Sequence, residues 1–364
     1  LPAGAAAPFR PAVARHATLT MHDDTDDVHD ALSTHTDEYE IVRELHRVRP
    51  HVTYEIRFRG ERAVCKLATH PEADIGREAA VMRYVAAATS VPVPELLAVG
   101  DGHFVARWAD AVPDEPPTRD EARIRALGRG LATLHAETSE IGWPGKIRPV
   151  SDVDDPTTPP VETEPCWSDT LLAVLDDRRR FLDGVGYGDL AREVIDWVRE
   201  NRCLFDGAGD AVLCHGNYFG EHVALGSDAE RVHVAVDSCG DGVHGDSGGE
   251  IATVIDFEHA LAAPAGWDYL RTVLPVFGPG ADHDVPESVF REAYESVRPL
   301  PAGFDRRREA LLLCNSLSYL RSLHLQRGDQ DTPHAVARRG RRLAASTRER
   351  LASLRDEKNQ RNDA

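Results

Sequence analysis

Two short stretches, each an apolar run that ends in a polar cluster, constrain this 364-residue chain more than any other feature. The first reads Val-Leu-Cys-His-Gly-Asn-Tyr-Phe-Gly-Glu-His-Val at 212–223, and the second reads Val-Ile-Asp-Phe-Glu-His-Ala at 254–260. Short apolar runs bounded by polar residues are typical of buried strands. We therefore expect two strands that deliver polar side chains to one site.

Composition limits the function classes. The chain carries 61 acidic and 42 basic residues, a net charge of −19, which disfavours binding to a nucleic-acid backbone. No apolar run approaches the eighteen or so residues that a membrane span requires. With 41% hydrophobic residues, the chain can bury a substantial core. We expect neither nucleic acid nor membrane as a partner.

Lysine is scarce: Lys66, Lys146 and Lys358 are the only three. Many acids with almost no lysine suggest a halophilic protein from a high-salt cytoplasm, where screening tolerates the self-repulsion. A genome biased towards arginine codons is the alternative. The six cysteines show no paired short spacing, which favours free thiols and a cytoplasmic location.

The first twenty residues differ in composition from the rest, because 1–20 contain no acid whereas Met21 opens into an acidic segment. We interpret 1–20 as a mis-called or disordered extension. The predicted organisation is a first lobe at 21–106, a second lobe at 107–355 and a polar tail at 356–364.

Hydrophobic periodicity predicts the elements. In the first lobe we expect helices at 37–49 and 75–86, and strands at 52–58, 63–68 and 104–108. The second lobe is predicted to be mostly helical, at 124–135, 168–182, 189–201, 266–274, 287–297, 305–326 and 335–355. The glycine-rich stretch 184–189 lacks the strand that a phosphate-binding loop requires, so we interpret it as an interhelical turn. The acids of the second glycine-rich stretch, 239–249, do not match the spacing of a calcium loop, so we interpret it as a solvated insertion.

Lys66 is the only lysine before Lys146, and it lies within an apolar strand. A buried ammonium requires a partner, because leaving it unpaired costs several kcal/mol. Glu78 lies twelve residues later, on the next predicted helix. The alternative is an edge-strand lysine that extends to solvent and an unrelated surface glutamate.

Together these features resemble the aminoglycoside phosphotransferase and choline kinase-like branch of the protein-kinase fold, over residues 40–330. In that family the first stretch usually reads His-Gly-Asp, four residues and Asn, and the second is an Asp-Phe/Trp-Glu/Asp/Gly metal motif. The resemblance implies an α+β fold with two lobes. The smaller lobe has an antiparallel sheet with one main helix, and the larger lobe is mostly helical.

The resemblance also implies a nucleotide, ATP or another NTP, bound with Mg²⁺ or, as a second choice, Mn²⁺. It assigns Lys66, paired with Glu78, to the nucleotide phosphates and Asp256 to the metal. The chain has no glycine where the family's glycine-rich nucleotide loop belongs, so we expect Thr53 or backbone amides near His51 to cover the phosphates. Arg107 completes the predicted nucleotide-binding set.

Two positions depart from the family pattern. Asn217 stands where the catalytic Asp is expected, and His222 stands where the metal-binding Asn is expected. An amide can bind a hydroxyl but cannot take its proton, and an imidazole suits Mn²⁺ or Zn²⁺ better than Mg²⁺. His215 is implied to hold the catalytic loop from beneath, and Glu258 and Glu221 are candidates for the acceptor site.

Three functions remain open at this point. The first is a phosphotransferase acting on the hydroxyl of a small molecule, and the second is a nucleotide-binding pseudokinase with a regulatory or ligand-binding role. The third is a metallohydrolase that binds its metal through His215, Glu221, His222, Asp256 and His259. The sequence identifies neither the acceptor nor the oligomeric state.

Overall fold

A computed structural model describes residues 24–112, 119–226, 250–278, 283–326 and 332–362. The predicted extension at 1–20 and the predicted insertion at 239–249 lie outside these residues. Within the described ranges, every helix is too short or too polar to traverse a lipid bilayer.

The first lobe is built on a five-stranded antiparallel sheet with the strand order β1-β2-β3-β5-β4. Its strands are β1 (Tyr39–Val48), β2 (His51–Phe58), β3 (Glu61–Ala68), β4 (Leu96–Gly100) and β5 (His103–Arg107). Helix α1 (Asp24–Ser33) packs on one face through Val28 and Leu32, whereas α2 (Ile75–Ala88) packs on the other. The sheet therefore has two buried faces.

The helix predicted at 37–49 is wrong, because this segment forms β1. β1 pairs with β2 through two register shifts, between Ile41 and Arg43 and between Glu44 and His46. Each bulge inserts an extra residue and breaks the alternation that marks a strand. The resulting apolar spacing imitates a helical period.

The second lobe contains the remaining helices: α3 (Glu121–Glu137), α4 (Trp167–Gly184), α5 (Gly188–Glu200), α6 (Arg202–Phe205), α7 (Ala265–Phe277), α8 (Glu287–Glu295), α9 (Phe304–Gln326) and α10 (Pro333–Asn362). The predicted helices and the interhelical turn between α4 and α5 are confirmed. The segment predicted as a polar tail from residue 356 continues α10 as far as Asn362.

Two small sheets carry the polar stretches. β6 (Gly145–Ile147), β7 (Val161–Thr163), β8 (Ala211–Cys214) and β11 (Leu261–Pro264) form a sheet in the order β7-β6-β11-β8. β9 (Val223–Leu225) and β10 (Ile251–Val254) form a separate antiparallel pair. The first polar cluster follows β8 and the second follows β10, so both clusters lie at strand ends as the sequence predicted.

One large apolar core runs from α2 through the helices of the second lobe, and a smaller one lies between the sheet and α1. Contacts of ionisable side chains join the lobes at several points. Lys66 contacts Asp256, His51 contacts Glu258, and Arg321 contacts Glu72. The sheet is thus held to the second lobe beside the two polar clusters.

Candidate active site

Lys66 lies between two carboxylates. Its Nζ donates to Glu78 Oε2 and to Asp256 Oδ1, both at 2.8 Å, and the Glu78 side chain is only 2% exposed. Strand β3 supplies the lysine, the first turn of α2 supplies Glu78, and the segment after β10 supplies Asp256. Residues 190 positions apart along the chain therefore meet in one cleft.

Electrostatics keep Lys66 and Asp256 ionised. Burial lowers the pKa of Lys66, but the charges of Asp256 and Glu78 raise it by more, so the net shift is upward. Burial raises the pKa of Asp256, but the ammonium of Lys66 and the neighbouring His222 lower it well below its usual value. A charged lysine and a charged aspartate are consequently maintained at neutral pH.

Asp256 adopts a left-handed backbone conformation, with φ of +68°, which is uncommon for a residue other than glycine. Such a conformation costs free energy and persists only where the surroundings enforce it. The next residue, Phe257, is buried and packs its ring 4.4 Å from the ring of His215, centroid to centroid. This packing anchors the segment that carries the carboxylate.

His215 joins the two polar clusters from beneath. Its Nδ1 accepts the backbone N–H of Asn217 at 3.1 Å, and its Nε2 donates to the carbonyl of Ile255 at 2.9 Å. Burial lowers the pKa of His215 to about 4, so the ring is neutral with one donor and one acceptor. The ring therefore spans the first polar cluster and the residue that precedes Asp256.

Gly216 permits a close approach of backbone to backbone. Its φ is +79°, and a Cβ at this position would lie 2.3 Å from the carbonyl oxygen of His259. No side chain fits there without moving the backbone of the second polar cluster. Position 216 therefore requires glycine.

Asn217 and His222, the two departures from the family pattern, both face Asp256. Asn217 Nδ2 donates to Asp256 Oδ2 at 3.0 Å, and His222 Nδ1 donates to the carbonyl of Asn217 at 2.9 Å. Because a carbonyl only accepts, the proton of a neutral His222 lies on Nδ1. Its Nε2 then presents a lone pair 3.4 Å from Asp256 Oδ2. A cation between these two atoms, either a proton on the imidazole or a metal ion, satisfies both.

Glu258 connects the cleft to the turn between β1 and β2. Its Oε2 lies 2.9 Å from His51 Nδ1, and its Oε1 lies 3.4 Å from His259 Nε2. Burial and the charge of Asp256 raise the pKa of Glu258, but His259, the His51 hydrogen bond and Lys66 outweigh them and lower it to about 2. Glu258 is therefore a third carboxylate near a single ammonium.

The structure places the two remaining residues predicted to bind the nucleotide, Thr53 and Arg107, on different faces of the sheet. Thr53 lies directly opposite Lys66 in the pairing of β2 with β3, so its side chain shares the face of the lysine. Arg107 does not reach the cleft: it lies on the opposite face, is exposed, and pairs with Glu61 and Glu95. Side chains alternate between the two faces along β5, which places Arg107 on the face away from Lys66.

Glu221 is exposed on a single turn and forms no hydrogen bond or ion pair within the part of the chain that the structure describes. It is not brought to the site as an acceptor-binding carboxylate.

The metallohydrolase hypothesis also fails. Both ring nitrogens of His215 are already hydrogen-bonded, so this residue has no ligand atom to offer. Across the described ranges, the only three-residue group with metal-ligand spacing is His135, Cys214 and Asp268.

Asp268 was not predicted, although it supports the site. It lies in α7 with no exposed surface, and it accepts the backbone N–H groups of His215 at 2.7 Å and Gly216 at 2.8 Å. His135 Nε2 lies 3.2 Å from the same carboxylate. Because these donors fill the carboxylate, we interpret the grouping as structural. The available signal was an acid within an apolar helix, which requires buried partners.

Arg271 and Arg123 were missed as well. Arg271, one turn after Asp268, donates from Nε to the carbonyl of Gly216 at 2.6 Å. Arg123 of α3 donates from Nη2 to the carbonyls of Gly220 and Val223, at 3.0 and 2.6 Å. Buried arginines thus hold the carbonyl groups of the loop, while Asp268 holds its N–H groups.

We predict that Asp268→Asn lowers the free energy of unfolding at neutral pH by about 3 kcal/mol, because an amide replaces a buried carboxylate that accepts two backbone bonds. Burial raises the pKa of Asp268, but His135 and the backbone donors lower it by more, so the net shift is downward. The stabilisation is therefore complete above the unfolded pKa of about 4 and is lost as the pH falls through the folded value.

Denaturant unfolding from pH 7 to pH 3 measures this effect, and the difference between wild type and variant should narrow in acid. Asp189→Asn is the matched control, because Asp189 is 92% exposed and its loss should change stability by about 0.5 kcal/mol or less. Equal losses in the two variants at neutral pH would contradict the supporting role of Asp268.

Solved structures reproduce this architecture. Aminoglycoside phosphotransferase APH(4)-Ia superposes with a TM-score of 0.54 at 13% identity, covering 91% of this chain and 98% of that one. Ethanolamine kinase from Plasmodium vivax superposes with a TM-score of 0.54 at 13% identity, covering 85% of this chain and 82% of that one. Variants of APH(4)-Ia have been crystallised with hygromycin B and either AMP-PNP or ADP. At these identities the likeness shows the protein-kinase-like fold.

No curated protein matches the chain by sequence. A family model does: the model described as the phosphotransferase enzyme family matches residues 44–237, which is more than half of the chain. The match includes Lys66, Glu78 and the whole His-Gly-Asn loop. The chain belongs to the phosphotransferase enzyme family.

Proposed function

We propose that the chain transfers a phosphoryl group from ATP, or another NTP, to the hydroxyl of a small molecule. The contact of Lys66 Nζ with both Glu78 and Asp256 carries this proposal. Phosphoryl transfer requires a cation for the nucleotide phosphates, a carboxylate that holds this cation, and a second carboxylate for a metal ion. Family membership and the nucleotide complexes of APH(4)-Ia support the same function.

We assign Asp256 and His222 as the residues that hold the metal ion. Three carboxylates, those of Glu78, Asp256 and Glu258, influence the single ammonium of Lys66, and this excess of negative charge suits a divalent cation. The ion would supply charge neutralisation on the nucleotide phosphates. An imidazole ligand favours Mn²⁺ more than Mg²⁺, whereas Asp256 suits either.

Asn217 orients the acceptor in this mechanism. Its Nδ2 is used by Asp256, which leaves Oδ1 to accept the acceptor hydroxyl and aim its oxygen at the γ-phosphorus. A bond then forms between that oxygen and phosphorus, and the bond from phosphorus to the β–γ bridging oxygen breaks. The hydroxyl proton leaves to the transferred phosphoryl group or to water, because an amide cannot accept it. Turnover is consequently slower than with a carboxylate base.

A nucleotide-binding pseudokinase is the second candidate. It is favoured by one observation, that the residue in the place of the base donates a hydrogen bond to Asp256 instead of presenting a carboxylate. Such a protein would bind nucleotide through Lys66 and Asp256 without turnover. The two functions predict different effects on turnover when a carboxylate base is restored at position 217.

We predict that Lys66→Met reduces nucleotide turnover by about 10²-fold or more, because the phosphates lose their cation. Turnover is measured in high salt, which the acidic composition favours, with Mg²⁺ or Mn²⁺ and a panel of hydroxyl compounds. Lys358→Met is the matched control, since Lys358 lies 40% exposed on α10, and it should retain wild-type turnover. Equal activity in both variants would exclude Lys66 from the site.

We predict that Asn217→Asp raises turnover by about 10²–10⁴-fold, because it restores a general base. The same change places a carboxylate where an amide now donates to Asp256 at 3.0 Å. The metal-free protein should therefore lose thermal stability, and divalent metal should restore it. Nucleotide binding with no turnover in either wild type or variant would select the pseudokinase.

We predict that His222→Asn shifts metal preference from Mn²⁺ towards Mg²⁺, because an amide oxygen replaces an imidazole nitrogen beside Asp256. Calorimetric titrations of each ion with a non-hydrolysable nucleotide present measure the ratio of the two affinities. His283→Asn is the control, because that ring contacts the backbone of α7 through the carbonyl of Val276. An unchanged affinity ratio would remove His222 from the metal site.

A further inference from the structure

A cavity of about 320 Å³ opens beside the candidate active site. It lies between the N-terminal end of α2, helices α4, α7 and α9, and the segment Phe257–Glu258–His259. Its volume falls within the range of small-molecule pockets. Because Glu258 and His51 line the cavity and also pair beside Lys66, the cavity adjoins the cleft.

The charged wall of this cavity is mainly basic, although the chain as a whole carries −19. Its basic members are Arg77, Lys146, Arg178, Arg180, Arg271 and Arg321. The acids that line it are already paired, in the contacts Glu72–Arg321, Asp74–Arg77, Asp177–Lys146 and Glu258–His51. The positive charge is therefore in excess.

Arg178 is the unpaired residue among the basic side chains that line the cavity. Within the described ranges it forms no hydrogen bond or ion pair, and its Nε is shut off from solvent without an acceptor. Arg321, whose side chain is only 6% exposed, also has a buried Nε without an acceptor, although its Nη2 donates to Glu72. A buried N–H without an acceptor is costly, so these two Nε groups indicate a missing hydrogen-bond acceptor, which an anion can supply.

Arg271 joins this group to the catalytic loop. Its Nε donates to the carbonyl of Gly216, next to Asn217, and its Nη1 makes only a long 3.5 Å contact with Asn315 Oδ1. Its positive charge has no carboxylate partner in the described part of the chain. The arginine therefore faces the cavity from the same helix that holds the loop.

The three arginines repel one another. Burial, followed by the charges of Arg321 and Arg271, lowers the pKa of Arg178 to about 9. One carboxylate, that of Glu72, is the only acid paired with any of the three among the residues that the structure describes. A bound anion would relieve the repulsion and supply the acceptors that the Nε atoms lack.

We propose that this cavity is the acceptor site and that Arg178, Arg271 and Arg321 bind an oxyanion, a phosphate or carboxylate group, carried by the acceptor. The acceptor assignment rests on the proposed phosphotransferase function, whereas the oxyanion site does not. Guanidinium forks match such groups in geometry and charge. The substrate class is therefore an anionic hydroxyl compound, in contrast to the amino alcohol for which ethanolamine kinase is named.

Calorimetric titration with inorganic phosphate at constant ionic strength tests the oxyanion site. Arg178→Met should weaken phosphate binding by at least about tenfold. Arg179→Met should leave it unchanged, since Arg179 lies on the same helix but pairs with Asp176 and Asp183 and does not line the cavity. Arg178→Lys keeps the charge without the fork and should give an intermediate loss, which guards against misfolding of the methionine variant.

Lys66→Met should retain phosphate binding, because the lysine lies outside the cavity. Phosphate affinity that is equal in wild type and in Arg178→Met, or that is lost in Lys66→Met but not in Arg178→Met, would overturn the inference. These measurements need no nucleotide, so they are independent of turnover.

A matched acceptor panel tests the substrate class: glycerol, glycerol 3-phosphate, glycerate and 3-amino-1,2-propanediol, each with ATP and divalent metal. The anionic members should have the lowest KM, and Arg178→Met should raise that KM with little change in kcat. Preference for the amine would overturn the assignment. Arg178-dependent phosphate binding without turnover of any member would retain the oxyanion site and reject the phosphotransferase.

Discussion

A single ammonium shared by two buried carboxylates determines how this molecule is put together. Lys66 belongs to the sheet, Glu78 to α2 and Asp256 to the loop after β10, so their contact fixes three elements relative to one another. Removing such charges from water is favourable only when each finds its partner at close range. The geometry of the cleft follows from that requirement, and Thr53, opposite the lysine, shares its face.

Much of this arrangement was predictable from sequence because its signals are local. Lysine is rare in the chain, and the residues on either side of Lys66 are apolar. Each of the two polar clusters follows a short apolar run. Periodicity also located most helices. It failed at 37–49, where two bulges disturb the alternation of β1. Arg107, predicted to bind the nucleotide, lies on the other face of the sheet from Lys66, because side chains alternate between the two faces along β5.

The supports of the site could not be predicted in the same way. Asp268, Arg271 and Arg123 lie within helices, and sequence periodicity shows that a helical position is buried without showing what it faces. Their partners are backbone groups of a distant loop, which carry no sequence signal. The same holds for Arg178, whose significance depends on two other helices that bring Arg271 and Arg321 to it.

The close approach at Gly216 bears on how resemblance within this family should be interpreted. A methyl group at position 216 would collide with the main chain at His259, whereas the side chains of Asn217 and His222 are partly exposed and contact Asp256. The backbone therefore dictates the residue at position 216, whereas at positions 217 and 222 the contacts with Asp256 are made by side chains. Likeness in this backbone framework consequently indicates a shared fold. The identity of the reaction has to be learned from the few side-chain atoms around Asp256.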